Sequence, residues 1–492
     1  MLEVRILQLQ PTLVLEIMPL PSQSDRLASV QGVKLAGSAG TWDIDLEYPP
    51  GSPRGIIASV PPHEYESSST ETDQPPLALP SLTHPHIHLD KAFVHNAREY
   101  AHLLPTTGSF QEALSLTAKA KELFTYDDVL RRGEWLLAES VSSGVTAMRA
   151  FVEVDHTVKL TCLDAAIALK DQWREMCDIQ IALFAQDPIF SSEYGPENMH
   201  YVEDALQHYP QIDVIGTTPY VESSIDAAKK NVEWAIDRAL QLDKHLDFHL
   251  DYHLDSSREP LIWHVLQRLL QRGWTTRSTR KRVMLGHCTR LTLLTEEQWH
   301  RVSRLIHEND LPVSFVGLPT SDLYMAAPPS QDNPHSRPRG TLRVPELVRT
   351  HGLDPVIGVN NVGNAFTPWG SVDPLFLACI GVGVYQAGTQ ADADLLYECV
   401  STRARAAIGL SSSGRGLEIR PGDEGDLVVF HNRDASGICR PRTSVAGIVW
   451  DPPGRENRHV MRNGRLTGGD AHPMYHAWRD ADPSDIKPQR RS

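Results

Sequence analysis

The chain has 492 residues, of which 41% are hydrophobic and 22% charged, with a formal net charge of −15. This is the balance of a soluble globular protein long enough for more than one domain, and the acidic surplus argues against nucleic acid or an anionic membrane as the main partner. No uncharged apolar run approaches the ~20 residues that span a bilayer, and six scattered cysteines without a Cys-x-x-Cys pair suit the reduced thiols of a cytoplasmic protein.

Residues 1–10 alternate apolar and polar side chains, with Glu3 in place of a basic leader, and read as a strand rather than a signal peptide. Strand-like pieces follow at Val4–Leu9, Leu13–Ile17, Thr41–Leu46 and Gly55–Ser59, then a polar, Pro-rich loop over 61–79. From Leu79 short apolar runs alternate with amphipathic segments. The predicted strands are Leu82–Leu89, Val145–Val152, Ile179–Ala185, Val214–Thr217, Leu246–Leu250, Val283–Gly286, Val313–Val316 and Val356–Val359. Helices are predicted at Tyr126–Ser142, Leu163–Met176, Ser224–Leu242, Pro260–Gln271 and Glu296–Glu308.

That alternation predicts an α/β fold, a parallel (β/α)8 TIM barrel. An open doubly wound sheet would want a Gly-rich phosphate loop after an early strand, and the sequence has none. Beyond the barrel, Leu395–Ala407 reads as a helix, Ile419–Phe430 as a turn followed by a buried strand, and Ser444–Trp450 and His459–Leu466 as strands. With strands at both ends, residues 1–77 and 410–470 are expected to form one small β-sandwich domain. Residues 78–409 form the barrel and 471–492 a polar tail.

Histidines fall at the predicted strand ends. His86 and His88 lie two apart on the first barrel strand, so both imidazoles point to one side. His249 ends the fifth strand and His287 the sixth. In such a barrel the C-terminal strand ends converge on one face, where chemistry resides. Three histidines plus water make a catalytic metal site with an open position.

This order of histidines resembles the amidohydrolase superfamily, and within it the cytosine deaminase branch. The segments 86–90, 144–149, 184–187, 366–370 and 421–429 are similar to that branch, and the likeness extends over about residues 79–468. The resemblance implies that His86, His88 and His249 hold one divalent metal ion, zinc or iron. It places His287 beside the attacking water or the bond being cleaved, and it makes Gln186 a substrate-positioning residue. Trp369 lies in a segment of the same likeness and is a second candidate for substrate contact, with a core position as its alternative. No lysine ends the fourth strand, which argues for one metal rather than two.

Two positions depart from the branch. Asn360 stands where the family has the aspartate of the eighth strand, and an amide oxygen can coordinate a metal but carries no charge and cannot act as a base. Tyr252 stands where the deaminases have a glutamate, and its unperturbed pKa of ~10 makes it a proton donor at best. Asp251, His287 and Tyr252 are the candidates left for moving a proton. Lys91, Glu153 and Asp155 are expected as salt-bridging residues of the barrel mouth, and Ser321–Met325 as a loop able to shape the pocket. The expected activity is metal-dependent hydrolysis of a C–N bond in a cyclic amide, amidine or amino-heterocycle, through a modified proton relay. The alternative is non-hydrolytic Lewis-acid chemistry on the same fold, and a pseudoenzyme is the third reading, against which the four retained histidines speak. The expected partner is a small-molecule substrate, with neither nucleic acid nor membrane, and a homo-oligomer is compatible with the composition.

Overall fold

The computed structural model describes residues 26–52, 54–64, 74–325, 335, 337–411, 416–432 and 440–467. The expected strands Val4–Leu9 and Leu13–Ile17, residues 65–73 of the expected loop and the 471–492 tail lie outside them.

Eight parallel strands form the barrel: β5 (Leu82–His88), β6 (Val145–Glu153), β7 (Asp178–Ala185), β8 (Ile212–Thr217), β9 (His245–Leu250), β10 (Val283–His287), β11 (Val313–Gly317) and β12 (Pro355–Ile357). Each pairs with its sequential neighbour. The ring closes beyond β12, where Asn360 N donates to His86 O at 3.0 Å and His88 N donates to Asn360 O at 2.8 Å. Asn360 adopts φ 65°, a left-handed conformation that asparagine tolerates better than most residues. The closure therefore sets Asn360 directly against the His-x-His strand.

The outer helices follow their sequence signals. Thr125 caps Tyr126–Ser142, Ser224 caps Ile225–Gln241, and Thr295 with Gln298 forms a capping box on Glu296–Glu308. Their apolar faces enter one large core with the strands. The expected helix Leu395–Ala407 is two helices, Gln390–Cys399 and Thr402–Ala407. The break between them is used by the barrel: Val400 O accepts from Thr83 N, and Ser401 Oγ donates to Ser81 O.

Outside the barrel lies a seven-stranded sheet. Its members are β1 (Ser29–Leu35), β2 (Trp42–Glu47), β3 (Ile56–Ser59), β4 (Leu77–Pro80), β13 (Leu427–Phe430), β14 (Arg458–Arg462) and β15 (Arg465–Leu466), in the order β15-β14-β13-β4-β1-β2-β3. Strands from both ends of the sequence share it. Val33, Ile44, Ile57, Ala78, Leu427 and Met461 pack into its core. Sequence pattern misses β1, because a register shift between Val30 and Val33 around Gly32, at φ 65°, breaks its alternation. Ser444–Trp450, expected as a strand, is instead the helix Val445–Trp450. Ser444 accepts from Gly447 N as its cap, and Val445, Ile448 and Val449 are buried at helical spacing.

Candidate metal centre

His86 and His88 project from β5 and His249 from β9, and His86 Nε2 and His88 Nε2 each lie 3.1 Å from His249 Nε2. These three residues form a group whose ligand atoms can share one ion. His84 has the same parity but faces Ser140 on the outer helix layer at 3.1 Å, because the register of β5 shifts between His84 and Ile87. The alternation expected of a strand thus holds for the pair that matters and fails just before it.

The floor under the histidines is aromatic. Phe151 lies 4.1 Å from the His86 ring and Phe184 4.4 Å from the His249 ring, centroid to centroid. Gly286 and Gly358 leave room for His86, since a Cβ at either would fall within 3.3 Å of its side chain. Burial pushes all three imidazoles well below the usual histidine range, with neighbouring positive groups acting in the same direction. Neutral imidazole is the form that binds a metal. None of the three Nδ1 atoms has a hydrogen-bond partner among the described residues, and neither does the buried Asn360 Oδ1. The Asn360 amide is oriented from its other end, where Nδ2 donates to Ser321 Oγ at 2.8 Å. Three neutral imidazoles and one unpaired amide oxygen fit a divalent ion.

Beneath this centre Asp247 is wholly buried. Its carboxylate accepts from Arg149 Nη1 at 2.9 Å and lies 3.8 Å from His86 Nδ1. Burial pushes the Asp247 carboxyl up to about 7 against the pull of Arg149. Arg149 is buried as well and also donates to Gln180 Oε1 and Ile408 O. Removing one partner of such a pair leaves an uncompensated charge, so Arg149→Leu is expected to destabilise the protein by about 3–5 kcal/mol. The lowering of its urea midpoint checks this.

His287 ends β10 at φ 63°, and Cys288 follows at φ 52°. Its ring lies 5.2 Å from that of His249, centroid to centroid, and its Nδ1 is 2.8 Å from Asp322 Oδ1. Asp322 is completely buried on the short helix Pro319–Met325, where the sequence suggested only a pocket-shaping loop. Its other oxygen accepts from Leu318 N and Thr341 Oγ1. No sequence signal marked Asp322 as the partner of His287, because the two are brought together by adjacent strands rather than by spacing.

The remaining candidates take other positions. Asp251 does not face the histidines. It sits just past β9 at φ 49°, which ends the parity with His249, and its carboxylate accepts from Leu261 N and Ile262 N at the start of the helix Ile262–Gln271. Tyr252 stacks on His287 with ring centroids 3.8 Å apart, and its hydroxyl donates to Ser321 O. Burial holds that phenol well above its ordinary pKa, so it stays protonated and engaged. Trp369 is not core: it is 41% exposed and packs on Phe376. Gln186 follows β7, and its Oε1 accepts from Lys91 Nζ.

Lys91, Glu153 and Asp155 form salt bridges as expected, within a buried ion network. Lys91 and Lys121 each lie 2.7 Å from the Glu153 carboxylate, and Lys121 also meets Asp155 and Asp187. Asp155, His156 and Asp187 could otherwise hold an ion, but the Lys121 ammonium already pairs with both carboxylates. Phe110, from the helix Phe110–Lys121, meets Tyr252 edge-on and packs at a tilt on Phe366.

No family model matches the chain. Among curated proteins, the N-isopropylammelide isopropyl amidohydrolase of Pseudomonas sp. (strain ADP) is 21% identical over 364 residues, covering 72% of this chain and 80% of that protein. Among solved structures, 5-methylcytosine deaminase from Klebsiella pneumoniae liganded with 5-fluorocytosine matches with a TM-score of 0.70 at 21% identity, covering 91% of this chain and all of that one. N-isopropylammelide isopropylaminohydrolase from Burkholderia multivorans matches with a TM-score of 0.65 at 21% identity, over 89% of this chain and 98% of that one. An adenosine deaminase from Xanthomonas campestris with bound zinc matches with a TM-score of 0.59 at 17% identity, over 92% and 97%. The chain shares the fold of these structures, a (β/α)8 barrel with a separate sheet domain. Among the described residues no helix is long and apolar enough to cross a membrane.

Proposed function

We propose that this protein is a metal-dependent hydrolase of a non-peptide C–N bond in a cyclic amide, amidine or amino-heterocycle. The observation that carries the reading is the convergence of three neutral imidazoles with the unpaired Asn360 oxygen, beside a His287–Asp322 pair. His86, His88 and His249, with Asn360 beside them, would hold one divalent ion, zinc or iron, which would supply Lewis acidity and a lowered pKa for the attacking water. The relatives named above are amidohydrolases and deaminases, which supports the same class of chemistry.

The chain's own groups then move the proton. Where Asp322 Oδ1 accepts the hydrogen bond from His287 Nδ1–H, Nε2 is left with a lone pair. His287 takes a proton from water as the oxygen attacks carbon, and returns it to the nitrogen as the C–N bond breaks. Tyr252 holds the His287 ring by stacking instead of acting as a shuttle. The domain division, 1–77 with 410–470 around the barrel 78–409, belongs to this reading, as do a cytoplasmic setting and a small-molecule substrate. The test is metal analysis of the purified protein, followed by a panel of heterocycles scored for ammonia and product mass. A gain of one water without ammonia means ring opening; replacement of nitrogen by oxygen means deamination; neither, with any metal-loaded sample, sinks the hydrolase reading.

A non-hydrolytic Lewis-acid reaction is the second reading, favoured by one specific observation: the neutral Asn360 in the place of a carboxylate. With neutral ligands alone the ion keeps its full charge, whereas aspartate would reduce it. Asn360→Asp is therefore expected to bind metal more tightly and to turn over the ring identified by the panel several-fold more slowly. Metal affinity and kcat at equal occupancy check this, and a clear gain in turnover would point to conventional hydrolysis instead.

A further inference from the structure

On the outer face of the barrel, the helix Glu296–Glu308 and the chain that leads into β12 carry a second convergence of ligands. Glu296 and His300 stand one helical turn apart, at i and i+4, so both side chains lie on one face. His351 comes from the turn after the helix Val344–Arg349 and precedes β12. Its surroundings hold it in place: Trp299 stacks on its ring at 5.8 Å, centroid to centroid, and its backbone oxygen accepts from Ser303 Oγ at 2.7 Å. The capping box of Thr295 and Gln298 orders the turn that bears Glu296.

The two imidazoles face one carboxylate oxygen. Glu296 Oε1 lies 3.4 Å from His300 Nε2 and 3.7 Å from His351 Nε2. Both separations exceed the ~2.7–3.2 Å of an N–H···O hydrogen bond. They come close to the ~3.4 Å between neighbouring ligands of a tetrahedral ion whose bonds are ~2.1 Å. One ligand atom from each of the three residues lies within 4.8 Å of the others. His351 is 8% exposed, and its Nδ1 has no hydrogen-bond partner among the described residues. A buried polar group left so is uncommon. Among the described residues no Lys or Arg side chain pairs with Glu296; Arg343 and Arg349, around the helix that precedes His351, pair with Glu346 and Asp392. The contrast is the Asp155–His156–Asp187 group, where the Lys121 ammonium takes the place of an ion.

We propose that Glu296, His300 and His351 bind a second divalent transition-metal ion, zinc by the choice of donors, which ties the helix Glu296–Glu308 to the chain entering β12. Two imidazoles and one carboxylate, with a fourth position for water, suit zinc and not a hard ion such as magnesium, which takes oxygen ligands. The helix Glu296–Glu308 connects β10 to β11, and His351 lies on the connection from β11 to β12. The ion joins these successive crossovers beside the strand beyond which the ring closes through Asn360. Glu296 and His300 are exposed, so the ion exchanges: dialysis removes it and added zinc restores it. The site shares no residue with the His86–His88–His249 centre and does not depend on the reaction carried out there.

The test titrates zinc chloride into the dialysed full-length protein, followed by calorimetry and by thermal unfolding. One further equivalent of zinc per chain and a rise of a few degrees in Tm are expected, because an ion that binds the folded chain stabilises it. Magnesium chloride at the same concentration is expected to give neither. His300→Ala and Glu296→Gln alter exposed side chains and leave the core untouched. Each is expected to bind the added zinc more than ~10-fold more weakly and to lose the rise in Tm. His249→Ala is expected to keep this equivalent. No further equivalent, one that survives both surface substitutions or is lost with His249, equal uptake of magnesium, or zinc uptake without a rise in Tm overturns the proposal.

Discussion

Replacing His249 with alanine is expected to lower bound metal from one ion per chain to near zero and to abolish turnover. His249 Nε2 stands 3.1 Å from both His86 Nε2 and His88 Nε2, so its loss removes the one ligand common to both close pairs. What remains is two imidazoles on one strand and an uncharged amide oxygen, fewer than the three protein ligands usual for a catalytic zinc site once the weak Asn360 donor is discounted. The loss of affinity should exceed the ~10–100-fold that follows from altering the groups that merely orient ligands. Metal content by elemental analysis, at matched dialysis conditions, reads this directly. One control is built into the chain. Glu296, His300 and His351 form a second group able to hold an ion, at the surface. An ion retained by the His249→Ala protein but lost on further change of His300→Ala would belong there and leave the assignment intact. An ion retained through both changes would remove His249 from the ligand set.

The histidines were legible in the sequence because they lie within strands or at their last residue, where a period of two and a common barrel face constrain direction. What lay one residue further on was not. Asp251 and Cys288, which directly follow β9 and β10, have positive φ, and such residues turn the chain at the strand ends. Extrapolated parity aimed Asp251 at the metal, whereas the turn sends its carboxylate to the next helix. The same kind of turn lets Asn360 bond across to β5. The pairing of Asp322 with His287 escaped notice for a different reason: an aspartate in a short loop-like segment carries no sign of its partner until β10 and β11 are paired. In the sheet domain, β1 was hidden by its bulge, and the apolar run at 445–450 fitted a strand as well as one helical turn. The serine cap decided that case, and it was readable.

The remaining large effect is expected at the His287–Asp322 pair. If His287 carries the proton, His287→Asn should lower kcat by ~10²–10⁴-fold while metal content stays at one ion per chain. Asp322→Asn should cost nearly as much, although it keeps the shape of the side chain. The reason is the demand on its second oxygen. Asp322 Oδ2 accepts from Leu318 N at 3.0 Å, a backbone donor that cannot reverse its role. An asparagine must therefore keep its oxygen toward Leu318 and turn its NH2 toward His287 Nδ1. A donor facing Nδ1 forces that nitrogen to hold the lone pair, which moves the ring proton to Nε2. His287 would then be a donor where the reaction needs an acceptor, with its position unchanged. The tautomer shift is visible by nitrogen NMR of labelled histidine, independently of turnover. If Asp322→Asn alters kcat by less than tenfold while the tautomer does change, His287 does not serve as the base, and the proton must leave by another route.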